Sequence, residues 1–421
     1  MKIDKVVVKV ASRCNINCKY CYMYNLGDLS YKIQPKFIED HTIVNFACKM
    51  LIHAKENNMK IISIIIHGGE PLLLSKKRFL RFINSFNHFK DHEINVIFAL
   101  QTNGILITDE WCEIFKTYNI HIGVSLDGKK ELNDTYRLDK NGKGTFDDVM
   151  KGMDVLRKNK VPFGVLSVLN LAADPLDYYE NFKSINITSL DVLFLEMNHD
   201  TKFSRTTSDV SVAEWYIKLF EAWYRDKDAK IKLRLFDTLI REILGEKQTL
   251  DALGVSENNI LVLETNGGLE AVDVLKMCGD SFTKNELNIN KDLIEDVKNS
   301  DLINIYYNSG KYLAKKCLAC PIVNICGGGY LPHRYSSENG FNNPSIYCDD
   351  LLRIITHIQN AVFDTIPTKL VEESGLEKLT YHEAVSLIEE NMLFVSDPEY
   401  VSKLESFKKS KCLPVLNTGI I

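Results

Sequence analysis

The first half of the chain alternates short apolar stretches with longer amphipathic ones. The short stretches are five to seven residues long and rich in Val, Ile and Leu, and the segments between them repeat apolar residues at helical spacing. This alternation is typical of parallel β/α units, in which each strand is followed by a helix. Six such units are predicted, with strands at residues 6–10, 61–67, 95–100, 121–125, 162–168 and 189–195. We therefore predict an α/β fold with a partial (β/α)6 TIM barrel, whose working residues lie at the carboxyl ends of the strands.

Helix starts and turns divide the chain further. Pro35 and Thr145 suit the starts of helices over residues 35–53 and 145–159. Residues 278–348 carry five cysteines and many Gly, Asn and Tyr residues, so this segment has little apolar core and is expected to fold around metal. The other predicted elements are a helix at 215–225, an apolar segment at 231–244, a β-hairpin at 260–274 with its turn at 265–268, and helices at 349–363 and 381–390.

These elements predict four segments along the chain. They are a barrel at residues 1–228, a linker and β-hairpin at 229–275, a cysteine-rich segment at 276–350, and a helical C-terminal tail at 351–421.

Composition narrows the classes of partner and compartment. The net charge of −5 over 421 residues offers no basic stripe, so nucleic acid is not an expected partner. No apolar run approaches the ~20 residues that cross a bilayer, and the first ten residues do not resemble a signal peptide. Neither a membrane nor export is therefore expected, and the predicted compartment is the cytoplasm. Eleven cysteines in such a chain favour metal binding over a disulfide framework.

Three of these cysteines lie together, directly after the first predicted strand. Cys14, Cys18 and Cys21 have the spacing C-x3-C-x2-C. Three thiolates can hold three irons of a [4Fe–4S] cluster and leave the fourth iron open to a small molecule. The alternative is a zinc site or incidental thiols, but zinc usually takes two pairs of ligands and no second pair lies near in sequence.

Polar residues follow several predicted strands and could bind a ligand at the open iron. Gly68-Gly69-Glu70-Pro71 follows the second strand, Asn103 the third, and Ser125 and Asp127 the fourth, with Arg137 further along. The two glycines allow close backbone approach, and Arg137 can bind a carboxylate. The alternative is that these residues form ordinary turns and a surface ion pair.

The C-x3-C-x2-C spacing, with Tyr20 before the third cysteine, resembles the signature of the radical S-adenosylmethionine (SAM) enzymes. The resemblance implies that SAM binds the open iron and that its reductive cleavage yields a 5′-deoxyadenosyl radical that removes a hydrogen atom from the substrate. It assigns the G-G-E-P motif to the methionine amine, Ser125 and Arg137 to the carboxylate, and Asp127 to the ribose. The full set of SAM contacts it implies is Tyr20, Gly68, Gly69, Glu70, Pro71, Asn103, Ser125, Asp127, Arg137, Val168 and Leu195.

A second group of cysteines comprises Cys317, Cys320, Cys326 and Cys348. Four thiols with a C-x2-C pair suit either structural zinc or a closed [4Fe–4S] cluster. The stretch resembles the SPASM extension of radical SAM peptide maturases, whose pattern holds two auxiliary clusters. Here Tyr330 stands where the C-x2-C-x5-C-x3-C run has its fourth cysteine, and the upstream G-x4-C element is absent. We therefore expect one auxiliary cluster on these four cysteines and leave the role of Cys278 open.

The residues around the cysteines resemble the maturases that crosslink ribosomal peptides into cyclophanes. The resemblance rests on Cys326-Gly-Gly-Gly-Tyr-Leu-Pro-His-Arg-Tyr335 and on the segments 8–14, 22–28 and 339–348. It implies hydrogen abstraction from a side chain of a precursor peptide, followed by a C–C bond to an aromatic residue. The alternatives are thioether formation, epimerisation, formylglycine formation in sulfatases, and a zinc-stabilised barrel without catalytic activity.

Restoring the aromatic ring requires an acceptor for one electron and one proton. The auxiliary cluster is the expected electron acceptor. Asp280 and His333 are the predicted bases, with Asp273 and His199 as further candidates, although sulfatase maturases place an Asp directly after a cluster cysteine and Gly279 intervenes here. The expected partners are the precursor peptide and an external low-potential reductant such as flavodoxin or ferredoxin. No winged-helix leader-binding module is expected, because the barrel begins within the first ten residues.

Overall fold

The computed structural model describes residues 1–201, 211–228, 230–247, 250–374 and 377–409. Parts of the predicted segments, including residues 410–421 of the tail, lie outside the described residues. The chain forms two compact units. The first, here called the sheet unit, comprises Met1–Leu169, Ile187–Leu195 and Asn259–Tyr307, and the second, the helical unit, comprises Asn170–Asn186, Glu196–Asn258 and Asn308–Ile421. Each unit draws on separated parts of the chain, and the division into four segments stays a prediction.

The strands are short and regular. In chain order they are β1 (Lys5–Ala11), β2 (Ile16–Cys18), β3 (Ile61–Gly68), β4 (Asn95–Thr102), β5 (His121–Ser125), β6 (Arg137–Asp139), β7 (Phe163–Val168), β8 (Ser189–Leu193), β9 (Lys232–Leu233), β10 (Ile260–Leu263) and β11 (Leu269–Glu270).

The helices alternate with the strands at first and then dominate. In chain order they are α1 (Asp40–Glu56), α2 (Lys76–Asn84), α3 (Asp109–Thr117), α4 (Lys130–Tyr136), α5 (Phe146–Lys158), α6 (Pro175–Ser184), α7 (Val212–Arg225), α8 (Arg234–Ile243), α9 (Asp301–Tyr307), α10 (Lys315–Leu318), α11 (Val323–Cys326), α12 (Cys348–Phe363), α13 (Thr368–Ser374), α14 (Tyr381–Asn391) and α15 (Val401–Glu405). Short 3-10 helices span Ser30–Ile33, Pro71–Leu73, Asn87–His92, Asp273–Cys278, Ile294–Asn299 and Leu331–Arg334. Within the described ranges, no helix combines the length and the apolar character that a bilayer span requires.

Eight strands of the sheet unit form one sheet in the order β11-β10-β1-β3-β4-β5-β7-β8, and β2 and β6 pair as a separate two-stranded sheet. The six strands predicted from the sequence are parallel neighbours in this order, which confirms the β/α barrel. The predicted hairpin is also present. Its first strand, β10, adds to the edge of the sheet in parallel with β1, so that Val6 lies opposite Leu261.

The two faces of the sheet differ in burial. In β3, Ile62, Ile64 and Ile66 are fully buried, whereas Ile65 and His67 are partly exposed. Side chains of a strand alternate between faces, so the first set packs under the helices and the second lines the inner face of the barrel. On that inner face Lys9 lies opposite His67.

The predicted helix starts have different outcomes. Thr145 is the N-cap residue of α5, as expected, although its hydroxyl donates to the carbonyl of Arg137 at 2.8 Å instead of capping the helix. The prediction for Pro35 is wrong, because α1 begins at Asp40. The carbonyl of Pro35 instead accepts a hydrogen bond from Ser12 Oγ at 2.7 Å, which ties this segment to the end of β1.

The helical unit packs α7, α8 and α14 against α12. Ser211 and Glu214 form a capping box at the start of α7, and the predicted helices at 215–225, 349–363 and 381–390 correspond to α7, α12 and α14. The apolar segment at 231–244 forms β9 and α8.

Candidate functional site

Cys14, Cys18 and Cys21 lie on the loop that follows β1. Cys18 ends β2, which pairs with β6 so that Cys18 lies opposite Arg137, and Cys21 N–H donates to the carbonyl of Cys18 at 3.1 Å. Burial raises the pKa of the Cys14 and Cys21 thiols to about 12 and also raises that of Cys18. At neutral pH these thiols are protonated, and metal binding must release their protons.

No group of three or more His, Cys, Asp or Glu side chains in the described ranges is arranged to hold a single metal ion. A [4Fe–4S] cluster takes its protein thiolates on separate irons, so cysteines that bind it need not converge on one point.

Gly68 and Gly69 bring the end of β3 against the backbone that leads into the cysteine loop. Gly68 has a φ of +143°, and a Cβ there would lie 2.2 Å from the carbonyl oxygen of Ala11. A Cβ on Gly69 would lie 2.4 Å from the backbone of Arg13. Both positions therefore require glycine, because the backbone of the cysteine loop lies against them, and their approach to a ligand stays a prediction.

Glu70 is fully buried, and its carboxylate accepts hydrogen bonds from groups of the protein. Its Oε1 accepts from Leu72 N–H at 3.0 Å and from Thr102 Oγ1 at 2.8 Å, and its Oε2 accepts from Asn103 N–H at 2.9 Å. Burial raises the pKa of this carboxyl group, and the hydrogen bonds oppose the shift. Glu70 therefore joins the carboxyl ends of β3 and β4 and fixes Asn103 next to Cys14, whose Sγ lies 3.8 Å from Asn103 Nδ2.

Tyr20, Asp127 and Arg137 form a buried network. Tyr20 Oη donates to Asp127 and accepts from Arg137 Nη1 at 2.9 Å. Asp127 Oδ1 also accepts from the N–H of Val168 at 3.1 Å, so four of the predicted SAM contacts lie together. Arg137 Nε has no hydrogen-bond partner within the described structure. A buried unpaired donor beside Cys18 fits a carboxylate ligand.

The inner face of the sheet continues this polar surface. Gln101 Nε2 donates to Ser125 Oγ at 2.9 Å, and the side chain of Gln101 lies over Gly123, where a Cβ would be 2.1 Å from its Oε1. Leu195, another predicted contact, lies two residues beyond the end of β8.

Cys317, Cys320, Cys326 and Cys348 all line one cavity in the helical unit. Its volume is about 400 Å³ including the open mouth, and its other lining residues are mainly apolar, among them Ile322, Val323, Leu352 and Ile388. Burial raises the pKa of the Cys317 thiol to about 11 and raises the pKa of the other three thiols. Four thiols around one cavity fit a closed cluster with four protein ligands.

Asp273 lies after the hairpin, five residues before Cys278, and Tyr330 stands where the SPASM pattern has the fourth cysteine of its run. Asp273 forms an ion pair with Lys9, which is fully buried on β1, and accepts from Tyr22 Oη at 2.9 Å. Lys9 also contacts His67 Nδ1 at 2.8 Å. Lys9 was not among the residues predicted from the sequence, although a lysine within an apolar strand indicates a buried charge that needs a partner.

The candidate bases lie in different surroundings. Asp280 is exposed and accepts from Leu29 N–H at 2.7 Å. His333 is buried, with Nε2 at 2.9 Å from Glu196, and His199 Nε2 lies 2.9 Å from the carbonyl of Pro344. Asp273 is held by Lys9, which keeps its pKa well below the usual range and makes it a weak base. The roles of Asp280 and His333 stay predictions.

Comparison with known proteins assigns the N-terminal part of the chain to a protein family. Residues 8–184 match the sequence profile of the Radical SAM superfamily. This segment is a radical SAM domain. The enzyme accordingly uses SAM and a [4Fe–4S] cluster.

Two curated relatives of the radical SAM enzyme extend over most of its length. A cysteine-type anaerobic sulfatase-maturating enzyme from Clostridium novyi is 27% identical over 83% of this chain and 93% of that protein. A serine-type anaerobic sulfatase-maturating enzyme from Bacteroides thetaiotaomicron is 27% identical over 84% of this chain and 89% of that protein. A solved structure of native anSMEcpe with bound AdoMet and Cp18Cys peptide superposes with a TM-score of 0.71, at 21% identity, over 86% of this chain and 98% of that one, which shows a common fold.

Proposed function

We propose that this radical SAM enzyme modifies a ribosomally made precursor peptide by joining a side-chain carbon to an aromatic residue, forming a cyclophane. The observation that carries the proposal is Tyr330 in place of the fourth cysteine of the run, together with the absent upstream G-x4-C element, which leaves cysteines for one auxiliary cluster on Cys317, Cys320, Cys326 and Cys348. Together with the sequence around residues 326–348, this departs from the two-cluster pattern of sulfatase maturases and resembles the crosslinking branch.

The residues of the sheet unit have defined tasks in this proposal. Cys14, Cys18 and Cys21 hold the first cluster, and SAM bound there supplies the radical that removes a hydrogen atom from the peptide side chain. Arg137 Nε binds the carboxylate of SAM, because it is a buried donor without another partner in the described structure. Asp127, already bound to Tyr20 and Val168, is held rigidly enough to orient the ribose.

The reaction requires one electron to cleave SAM and releases one electron from the ring, so it needs an electron donor and an electron acceptor. The substrate carbon radical forms a bond to a ring carbon of the aromatic residue, and the ring then loses one electron and one proton to regain aromaticity. An auxiliary cluster held by Cys317, Cys320, Cys326 and Cys348 would accept the electron, and Asp280 and His333 are the proposed bases for the proton. A low-potential donor such as flavodoxin or ferredoxin supplies the electron that cleaves SAM, and a reducing cytoplasm suits both clusters.

Formylglycine formation is the second candidate function. It is favoured by the two sulfatase-maturating relatives, which cover more than four fifths of this chain. The peptide bound in the anSMEcpe structure also supports a peptide substrate for this fold. Against this candidate, Gly279 separates Cys278 from Asp280, and Asp280 lies exposed beside Leu29.

The product distinguishes the two functions. The enzyme is co-expressed with each short peptide encoded beside its gene. Separately, the enzyme is purified and reconstituted without oxygen and incubated with each of these peptides and with a sulfatase-derived peptide carrying Cys or Ser. Loss of two hydrogens, with tandem fragmentation that locates a C–C bond to an aromatic residue, supports the crosslinking proposal. An aldehyde on the sulfatase peptide would contradict it and establish the second candidate. A colourless protein that contains zinc and no sulfide would exclude both.

A further inference from the structure

Arg334 is a buried cation beside the cysteine cavity of the helical unit. Its side chain is almost fully buried, with 1% of the residue exposed. The guanidinium donates to main-chain carbonyls from all three of its nitrogens. Nη2 lies 2.6 Å from the carbonyl oxygen of Gly327, Nε lies 3.0 Å from that of Gly328, and Nη1 lies 2.8 Å from that of Ser309.

Arg334 binds the carbonyls of three consecutive glycines, one of which lines the cysteine cavity. Gly327, Gly328 and Gly329 have φ values of +59°, +77° and +71°, which only glycine adopts readily in succession. Gly328 lines the cavity, and a Cβ on it would lie 3.0 Å from Arg334 Cζ. The guanidinium therefore lies directly behind the cavity wall, at the place where the sequence pattern loses its fourth cysteine.

The charge of Arg334 is balanced by no carboxylate in the described ranges. The titratable groups that interact with it are the thiols of Cys317 and Cys326 and the phenol of Tyr400. Other charges face the cysteines: Lys316 lines the cavity but is exposed, and Asp349 and Asp350 follow Cys348. Solvent screens an exposed charge such as Lys316 far more than a buried one. Asp350 is buried, but its Oδ1 accepts from Ala213 N–H at 3.0 Å.

A cluster bound to four thiolates becomes more negative when it is reduced. A fixed buried cation nearby stabilises the reduced form, so it raises the reduction potential of the cluster. Arginine suits this position because it stays charged when buried and because its planar fork reaches several carbonyls at once.

We propose that Arg334 sets the reduction potential of the auxiliary cluster and raises it so that the cluster can accept an electron. The inference rests on the proposed function, in that it requires a cluster on Cys317, Cys320, Cys326 and Cys348. Arg334 acts as a positioning and electrostatic residue and does not bind the cluster itself.

The test measures the midpoint potential of the auxiliary cluster by itself. The parent protein is the full chain with Cys14, Cys18 and Cys21 changed to Ala, reconstituted with iron and sulfide and titrated anaerobically with detection by electron paramagnetic resonance. Arg334→Gln removes the charge and Arg334→Lys keeps it, while both lose the planar guanidinium that bonds to several carbonyls. Arg353→Gln is the matched control, because Arg353 lies on the same helix as Cys348 but is exposed and paired with Asp349.

The expected result is a midpoint potential that falls in Arg334→Gln and stays near the parent value in Arg334→Lys and Arg353→Gln. An equal fall in the Gln and Lys variants would show that loop geometry, not charge, sets the potential, and an unchanged Gln variant would also overturn the inference. If Arg334→Gln does not retain iron, Arg334→His replaces it. The midpoint potential of Arg334→His should fall more than that of the parent protein as the pH rises through the titration of the imidazole. Absence of iron and sulfide from the parent itself would refute the auxiliary cluster in the proposed function, an outcome separate from any effect of Arg334.

Discussion

Asp273, on the segment after β11, forms a buried ion pair with Lys9 on β1. The lysine side chain is fully buried and that of Asp273 is 7% exposed. A lysine buried without a counter-ion would be strongly disfavoured, and the carboxylate of Asp273 neutralises it. The ion pair thus joins the segment after β11 to β1 by electrostatic attraction.

Removing the charge of Asp273 should destabilise the sheet unit. Asp273→Asn leaves Lys9 buried without its counter-ion, and breaking a buried pair in this way costs ~3–5 kcal/mol. Chemical denaturation followed by circular dichroism measures the loss of unfolding free energy. Asp280→Asn is the control, because Asp280 is exposed and accepts a hydrogen bond from the backbone N–H of Leu29. Equal stability of Asp273→Asn and the wild-type protein would contradict the role of the ion pair.

This ion pair also shows what the sequence could and could not predict. The six parallel strands, the hairpin and the spacings of Cys14, Cys18 and Cys21 and of Cys317, Cys320 and Cys326 follow from local pattern, because each is encoded within a short run of residues. The pairing of Lys9 with Asp273 joins residues 264 positions apart, and no local pattern encodes it. The start of α1 was misplaced for a related reason, because Pro35 is held by Ser12 on the neighbouring segment.

The buried, neutral imidazole of His67 should make the free energy of unfolding decrease in acid. Burial and the charge of Lys9 lower the pKa of His67 from 6.5 to about 3, while Asp273 opposes the shift. The folded state thus favours the neutral imidazole, and unfolding takes up a proton below pH 6.5. The free energy of unfolding is therefore unaffected by the titration of His67 above pH 6.5 and decreases progressively as the pH falls toward 3.

His67→Asn tests this pH dependence. The variant lacks the titrating imidazole, so its unfolding free energy should fall less steeply than that of the wild-type protein between pH 7 and pH 4. The charged and polar neighbours Lys9, Asp273 and Tyr22 are unchanged, which isolates the contribution of the imidazole. Parallel pH profiles of the two proteins would show that His67 does not titrate differently on folding.

Gly69→Ala should prevent assembly of the first cluster. The added methyl group would lie 2.4 Å from the backbone of Arg13, one residue before Cys14, so the cysteine loop must move. We expect loss of SAM binding and of the iron bound by Cys14, Cys18 and Cys21, measured by equilibrium dialysis and iron analysis. Gly164→Ala is the control from another strand, because its methyl group would meet neighbours at ordinary distances of 3.4 Å or more. A Gly69→Ala protein with full iron content and SAM affinity would refute the close-approach argument.

Arg137→Gln should weaken SAM binding more than it weakens folding. The substitution removes the unpaired Nε donor and the cation while leaving a polar side chain that can contact Tyr20. Truncating one member of a buried charge pair costs ~2–5 kcal/mol, which corresponds to a loss of affinity of at least ~30-fold. Tyr20→Phe provides the comparison, since it breaks the bonds to Asp127 and Arg137 but keeps the cation. If both variants lose the same affinity, the network acts through its shape and Arg137 does not bind the carboxylate.

Cys320→Ala should separate SAM cleavage from product formation. Cys320 lines the cavity of the helical unit, whereas Cys14, Cys18 and Cys21 belong to the sheet unit, so the variant retains the first cluster. With the electron acceptor lost, the ring radical cannot regain aromaticity, and we expect 5′-deoxyadenosine to form while crosslinked peptide does not. Liquid chromatography with mass spectrometry measures both products in one reaction. Cys48→Ala is the matched control, because Cys48 is exposed on α1 and remote in sequence from both cysteine groups. Undiminished crosslinking by Cys320→Ala would contradict the proposed role of the auxiliary cluster. Loss of both products would mean that Cys320 is also needed for the first cluster to function.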